Sequence, residues 1–333
     1  MLPPRFEEPA GFTWGTFKAS APEAKGATIR YGSLQPKGTP KGTIVMVSGF
    51  RELTEKYFEV MRDLTDRGFA VWMMDWHGQG GSARYLPNLQ KMYSVGYDEH
   101  IATLDQFTQQ IVKKTDGPLL LMGHSMGAHI GLRYLKEHDG VFDSAIFSSP
   151  MCDILTPGFP RAVAVKLADL AYVGHFLDRY TPGVHDWDGS KDTFEGNKVT
   201  HDHARFGVIP EIFKRNPLMT MGSQTYGWVR ETFKSIKILN SPGYLESIKT
   251  PMLIGIAGED KIVNEETTRK DAALIPNCRT VELPGARHEL WMEEDKLRNA
   301  WLAAVDKFLD ERVSLHAAAT KKPDNPSRRA PGP

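Results

Sequence analysis

The run Gly123-His124-Ser125-Met126-Gly127 is the tightest constraint in this chain. It stands between an apolar run, Leu119-Leu120-Leu121-Met122, entered through Gly117-Pro118, and a segment from Met126 to Glu137 that reads as a helix. A serine with glycine two residues to either side, at such a junction, predicts a sharp and strained strand-to-helix turn. The glycines remove the side chains that would hold strand and helix apart. The turn belongs to folds in which strands and helices alternate, where it sits at the carboxyl edge of a parallel sheet.

The flanking sequence supplies that alternation. Residues 43–48, 70–75, 144–149 and 252–257 are short apolar or β-branched runs that predict further strands, and 278–283 reads as one more. Helical spacing recurs between them at Tyr57, Val60, Met61 and Leu64, at Ile101, Leu104, Phe107 and Ile111, around 265–274, and from about 295 to 313. Regularity fails between Met151 and about Leu245, where aromatics, methionines, glycines and prolines mix without a period. The expected fold class is therefore α/β, a mostly parallel central sheet flanked by helices, with a helical cap inserted after the sixth strand. The expected plan is an N-terminal tail over 1–12, a core over 13–150, the cap over 151–245 and the rest of the core over 246–313. Residues 314–333, rich in Ala, Lys, Pro and Arg, are expected to be a disordered tail.

A serine hydroxyl is a poor nucleophile until a base and an orienting acid activate it. His288 follows the strand expected at 278–283, and Asp260 follows the one at 252–257, in the chain order Ser, Asp, His. In a parallel sheet those loops open on the same edge as the serine turn. Glu259 is the rival acid. Acyl transfer also requires donors for an oxyanion, and the backbone N–H groups of Met126 and Phe50 are the candidates, Gly49 letting the chain turn before Phe50. Candidate substrate-binding residues are Met151, Phe194, Phe206 and Trp228, within a wider apolar set in the cap that includes Phe159. His124 is expected to shape the turn, and His77 stays open. Thr200-His201-Asp202-His203 lacks a third ligand at a convincing spacing, so no metal is expected.

With 41 basic and 41 acidic residues the chain carries no formal net charge, so no global field draws it to nucleic acid. The two cysteines, Cys152 and Cys278, form neither a disulfide framework nor a zinc cluster. No stretch approaches the roughly 18 apolar residues of a membrane span, and the first residues lack a signal-peptide run. A cytoplasmic protein is expected, with possible peripheral contact at the inner face of a membrane. That contact would run through a cap helix between Arg161 and Arg179. Oligomeric state is left open.

Gly123 to Gly127, the loop Asp75-Trp76-His77-Gly78-Gln79-Gly80-Gly81-Ser82, the junction Ser149-Pro150-Met151, Ala257-Gly258-Glu259-Asp260 and Ala286-Arg287-His288-Glu289 together resemble the monoacylglycerol lipase and bacterial lysophospholipase branch of the α/β-hydrolases. In the cap, residues 197–202 and Arg205-Phe206 resemble it too. The resemblance implies hydrolysis of a lipid monoester of glycerol or glycerophosphate, without metal or organic cofactor. One departure stands out: monoacylglycerol lipases usually carry His-Gly where this chain has Ser48-Gly49, and some bacterial lysophospholipases also lack that His. Two alternatives remain at this point. The same triad could serve a serine aminopeptidase or an acyltransferase, or the chain could be a non-catalytic binding module on a hydrolase scaffold.

Overall fold

The computed structural model describes residues 2–156, 158, 160–190 and 192–320. Eight strands, β1 (Thr13–Lys18), β2 (Thr28–Leu34), β3 (Gly42–Val47), β4 (Phe69–Met74), β5 (Leu119–His124), β6 (Ser144–Ser148), β7 (Met252–Ala257) and β8 (Cys278–Leu283), form one sheet in the order β1-β2-β4-β3-β5-β6-β7-β8. The pairs from β4 through β8 are parallel, and β1 and β2 run antiparallel at one edge.

Among the described residues nine α-helices accompany the sheet: α1 (Phe58–Asp66), α2 (Tyr97–Gln106), α3 (Met126–Glu137), α4 (Arg161–Val173), α5 (His203–Phe206), α6 (Val208–Arg215), α7 (Tyr226–Leu239), α8 (Glu265–Leu274) and α9 (Asp295–Thr320). Every residue of β3, β4, β5, β6 and β7 is buried. That is why these strands read as continuous apolar runs: both faces are covered. Side chains alternate between the faces. Val45, Val47, Leu119 and Leu121 pack with Ile101, Leu104, Ile130 and Leu132 of α2 and α3. Ile44, Met46, Leu120 and Met122 pack with Val60, Leu64, Trp301 and Val305 of α1 and α9.

Helices α4 to α7 all fall between β6 and β7. Four boundaries differ from the sequence reading. Strands β1 and β2 extend the sheet where no apolar run announces them. The helix expected to reach Ile111 leaves α-geometry after Gln106 and closes in a π-helical turn over Phe107–Ile111. The first twelve residues are not a free tail: Pro4–Phe6 form a 3₁₀ turn, and Phe6, 2% exposed, packs with Leu53, Met92, Val208 and Phe213. Helix α9 continues past the expected end at Val313 to Thr320, so 314–320 are helical and not disordered. Residues 321–333 of the expected tail, and Phe159 of the expected cap, lie outside the described residues.

Candidate active site

Ser125 joins β5 to α3 with φ 51° and ψ −114°, a backbone state that L-residues avoid. Such strain costs about 1–3 kcal/mol and persists only where the surroundings enforce it. Here the glycines do so. A Cβ on Gly127 would lie 2.5 Å from the Ser48 carbonyl oxygen and 2.6 Å from that of Val47, and one on Gly123 would lie 2.9 Å from the Ala128 nitrogen. The Ser125 N–H donates to Ser148 O at 3.0 Å, and its carbonyl accepts from Met151 N–H at 3.1 Å.

His288 Nε2 stands 2.9 Å from Ser125 Oγ, and His288 Nδ1 stands 2.6 Å from Asp260 Oδ2. The other Asp260 oxygen accepts from the N–H groups of Ile262 at 2.8 Å and Val263 at 3.0 Å. Ser125, His288 and Asp260 are all buried. The loop after β7 thus sets Asp260, and not Glu259, against the imidazole. Burial opposes charge on both partners, but mutual attraction wins. The Asp260 carboxyl lies below the usual aspartate range, held by the His288 charge and hydrogen bond and by the two loop N–H groups. His288 is raised above ordinary histidine by Asp260, with smaller contributions from the Glu289 and Glu52 charges.

The oxyanion candidates sit on either side of the serine. Met126 opens α3, so its N–H has no partner within the helix. The turn around Phe50 is clamped from two sides. Gln79 Nε2 donates to Gly49 O at 2.9 Å, its Oε1 accepts from Arg51 N–H at 2.8 Å, and Trp76 Nε1 donates to Ser48 O at 2.9 Å. The Gly49 N–H is taken by Glu52 Oε2 at 2.5 Å. The N–H groups before and after Phe50 are therefore both engaged. A Cβ on Gly49 would lie 3.2 Å from Ser125 Cβ, so this turn lies directly against the nucleophile candidate.

Beneath it lies a feature the sequence reading missed. Lys56, 2% exposed, places Nζ 2.5 Å from Glu52 Oε1 and 2.7 Å from Glu289 Oε1. Tyr57 OH donates to Glu52 Oε2 at 2.7 Å. Burial disfavours the Glu52 carboxylate, yet the Lys56 charge, aided by His124 and these hydrogen bonds, holds it at about 2. Burial, together with Glu52 repulsion, leaves Glu289 raised in spite of Lys56. Glu52, His124 and Glu289 bring three side chains of metal-ligating type together, but the position between the two carboxylates belongs to Lys56. His124 is pushed down to about 3 by burial, so its imidazole is neutral beside His288, ring centroids 4.8 Å apart. The only sequence trace of this cluster is the i,i+4 pair Glu52 and Lys56 just after Gly49-Phe50.

A cavity of about 670 Å³ opens above Ser125 and His288. Leu167, Phe206, Ile209, Trp228, Val229 and Phe233 form much of its apolar wall, while Arg51, Glu52, Lys56 and Glu289 supply charge. Of the four substrate-binding candidates, Phe206 and Trp228 line it. Met151 does not: it is buried in the core, where its N–H braces the serine turn and its carbonyl meets His129 Nδ1 at 2.9 Å. Phe194 does not line it either, but its ring meets that of Phe206 edge-on at 5.8 Å. His77 packs its ring on Tyr85 at 3.8 Å and faces Glu99. Residues 200–205 anchor the segment to the core. His201 Nδ1 pairs with Glu293 at 2.9 Å, and Arg205 reaches Glu59, Asp202 and Asp295.

A family model described as serine aminopeptidase, S33, matches residues 38–295. A probable lysophospholipase L2 of Haemophilus influenzae is 30% identical over 282 residues, spanning 83% of this chain and 86% of that protein. Lysophospholipase L2 of Escherichia coli is 28% identical over 283 residues, 81% of each chain. Among solved structures, a soluble variant of monoglyceride lipase from Saccharomyces cerevisiae in complex with a substrate analog superposes with a TM-score of 0.68 at 20% identity, covering 90% of this chain and 96% of that one. Sequence match and superposition agree with the sheet order and the serine turn: the chain has the α/β-hydrolase fold and belongs to the serine aminopeptidase S33 family of hydrolases.

Proposed function

We propose that Ser125, His288 and Asp260 form the triad of a carboxylic ester hydrolase acting on lipid monoesters, lysophospholipids or monoacylglycerols, through an acyl-enzyme. One observation carries the reading. The unbroken hydrogen-bond chain Ser125–His288–Asp260 ends on a strained turn beneath a largely apolar cavity. His288 takes the Ser125 proton as Oγ attacks the ester carbonyl, and the N–H groups of Phe50 and Met126 hold the resulting oxyanion. His288 then returns the proton to the departing glycerol or glycerophosphate oxygen. Water, deprotonated by His288, releases the fatty acid. Asp260 keeps the imidazole oriented and stabilises its cation.

The cavity volume falls within the range of about 300–1,000 Å³ of small-molecule sites, and Phe206, Trp228 and Phe233 suit an acyl chain. The segment over 151–245 acts as the cap that carries these residues. The relatives' names support the lipid substrate. An aminopeptidase needs a free carboxylate for the substrate amine. Among the described residues the lining carboxylates are already paired, Glu52 and Glu289 with Lys56, and Asp192 with Arg51 and Trp187.

No helix among the described residues is long and apolar enough to cross a membrane. Helix α4 nevertheless turns apolar side chains outward: Leu170 is 62% exposed and Val173 73%, while Ala168 and Ala171 supply its buried side. This face is the contact through which the enzyme meets a lipid surface. Cys152 and Cys278 are free, which suits a reducing compartment and thus the inner face of a membrane.

Initial rates on a lysophospholipid, a long-chain monoacylglycerol, a short aryl ester and an amino-acyl amide test the proposal. Turnover of the lipid monoesters upholds it, and the faster of the two names the head group. Turnover of the amide alone would establish a peptidase and overturn it.

A further inference from the structure

Lys56 bridges two carboxylates that belong to different halves of the sequence. Glu52 follows β3 in the first half of the core, and Glu289 follows β8 in the second. Each is tied to a working part of the site. Glu52 uses one oxygen for Lys56 and the other for the Gly49 N–H, one residue before the Phe50 donor. Glu289 is the neighbour of His288, and its own N–H donates to Val199 O at 2.8 Å, in the cap. All three charged groups line the cavity that holds Ser125 and His288.

We propose that Glu52, Lys56 and Glu289 are positioning residues, a buried ionic clamp that fixes the oxyanion turn against the serine and ties that turn to the loop carrying the base. The inference rests on the catalytic reading of Ser125 and His288 given above.

A carboxylate within a few ångströms of a forming oxyanion repels it unless a cation neutralises the carboxylate. Lys56 does this for Glu52, so that Glu52 can hold Gly49 without opposing the reaction. Remove the ammonium, and two buried carboxylates face one another with no cation between them. They relieve the repulsion by moving apart or by taking up a proton. Either response loosens the acceptor that fixes Gly49, and with it the aim of the Phe50 N–H. Oxyanion donors act through placement, so the loss falls on kcat more than on substrate binding. A second consequence concerns the base. The groups around His288 are Ser125 and His124 from the serine turn, Asp260 from the loop after β7, Glu52 and Lys56 from the segment after β3, and Glu289 beside it in sequence. The Glu289 charge favours the imidazolium.

The test uses the full-length protein with Lys56→Met, Glu289→Gln and Ser125→Ala, each checked for a cooperative thermal transition. Lys56→Met is expected to lower kcat about 10- to 100-fold on a lysophospholipid, with KM little changed, as for the displacement of one oxyanion donor. Glu289→Gln keeps the side chain's shape and removes only its charge, which guards against a misfolded Lys56 variant. It is expected to shift the acid limb of the kcat/KM pH profile to lower pH, a readout that a purely structural role would leave in place. Wild-type kcat in a folded Lys56→Met, or an unmoved limb in Glu289→Gln, would overturn the inference. Ser125→Ala separates the two readings. If it is inactive while Lys56→Met matches wild type, the clamp alone fails; if Ser125→Ala retains turnover, the catalytic reading fails and the clamp with it.

Discussion

The Trp228 ring lies 4.3 Å, centroid to centroid, from the ring of Phe50. Helix α7 thus touches the residue whose N–H is the oxyanion candidate, and the same indole lines the cavity above Ser125. Trp228→Ala removes that wall and its support at once. It is expected to reduce kcat/KM on a long-chain monoester about 10-fold or more, with a smaller loss on a short-chain ester, because pocket contacts scale with the methylenes they touch. An acyl-length series on both proteins checks this.

Gly127 has no room for a side chain, since the Val47 and Ser48 carbonyls crowd its Cα. Gly127→Ala pushes against backbone rather than against a flexible side chain. A loss of about 3 kcal/mol of stability is expected, at the upper end of overpacking, together with most of the activity. Chemical denaturation and initial rates measure the two effects.

In the proposed mechanism the base is neutral His288, and Asp260 holds that imidazole above the ordinary histidine value. Protonation removes the base, so kcat/KM is expected to fall with acid along a limb centred above about pH 6.5, the unperturbed histidine value. Asp260→Asn removes the charge that favours the cation, and the limb is then expected to move to lower pH while kcat drops by about 10⁴-fold through loss of the correct tautomer. A pH–rate profile of both proteins is the check.

Arg205 is 2% exposed and draws together Glu59, Asp202, Asp295 and the Glu293 carbonyl. Arg205→Ala removes both close hydrogen bonds to the largely buried Glu59 carboxylate and leaves it Arg5 at 3.6 Å and Arg298 at 4.0 Å, a change expected to cost about 1–3 kcal/mol. Limited proteolysis is expected to cut first between 174 and 200, in the segment that this residue pins.

The sequence made the site's frame legible for a physical reason. Strand β7 is continuously apolar, β8 mixes Thr280, Val281 and Leu283 with Arg279 and Glu282, and Pro251, Gly258, Asn277 and Pro284 bound them, so their limits match the reading. Asp260 and His288 follow directly from those limits. Strands β1 and β2 were not legible. Only Phe17 of β1 is buried, and Gly15 and Gly32 make way for the Tyr31 and Phe12 rings, which leaves no alternating pattern to find. The clamp was hidden for the opposite reason. Glu52 and Lys56 at i,i+4 look like a solvated helix pair, and only the return of the chain after β8 buries them against Glu289. Met151 and Phe194 were assigned to the pocket on residue type, which cannot distinguish a residue of the cavity wall from one outside it.

Mass spectrometry of a rapidly quenched reaction with a lysophospholipid tests the central claim most directly. An acyl group is expected on the peptide that contains Ser125, absent in Ser125→Ala and decaying as fatty acid is released. Fatty-acid release at the wild-type rate by Ser125→Ala, or an acyl group found on another residue, would contradict it.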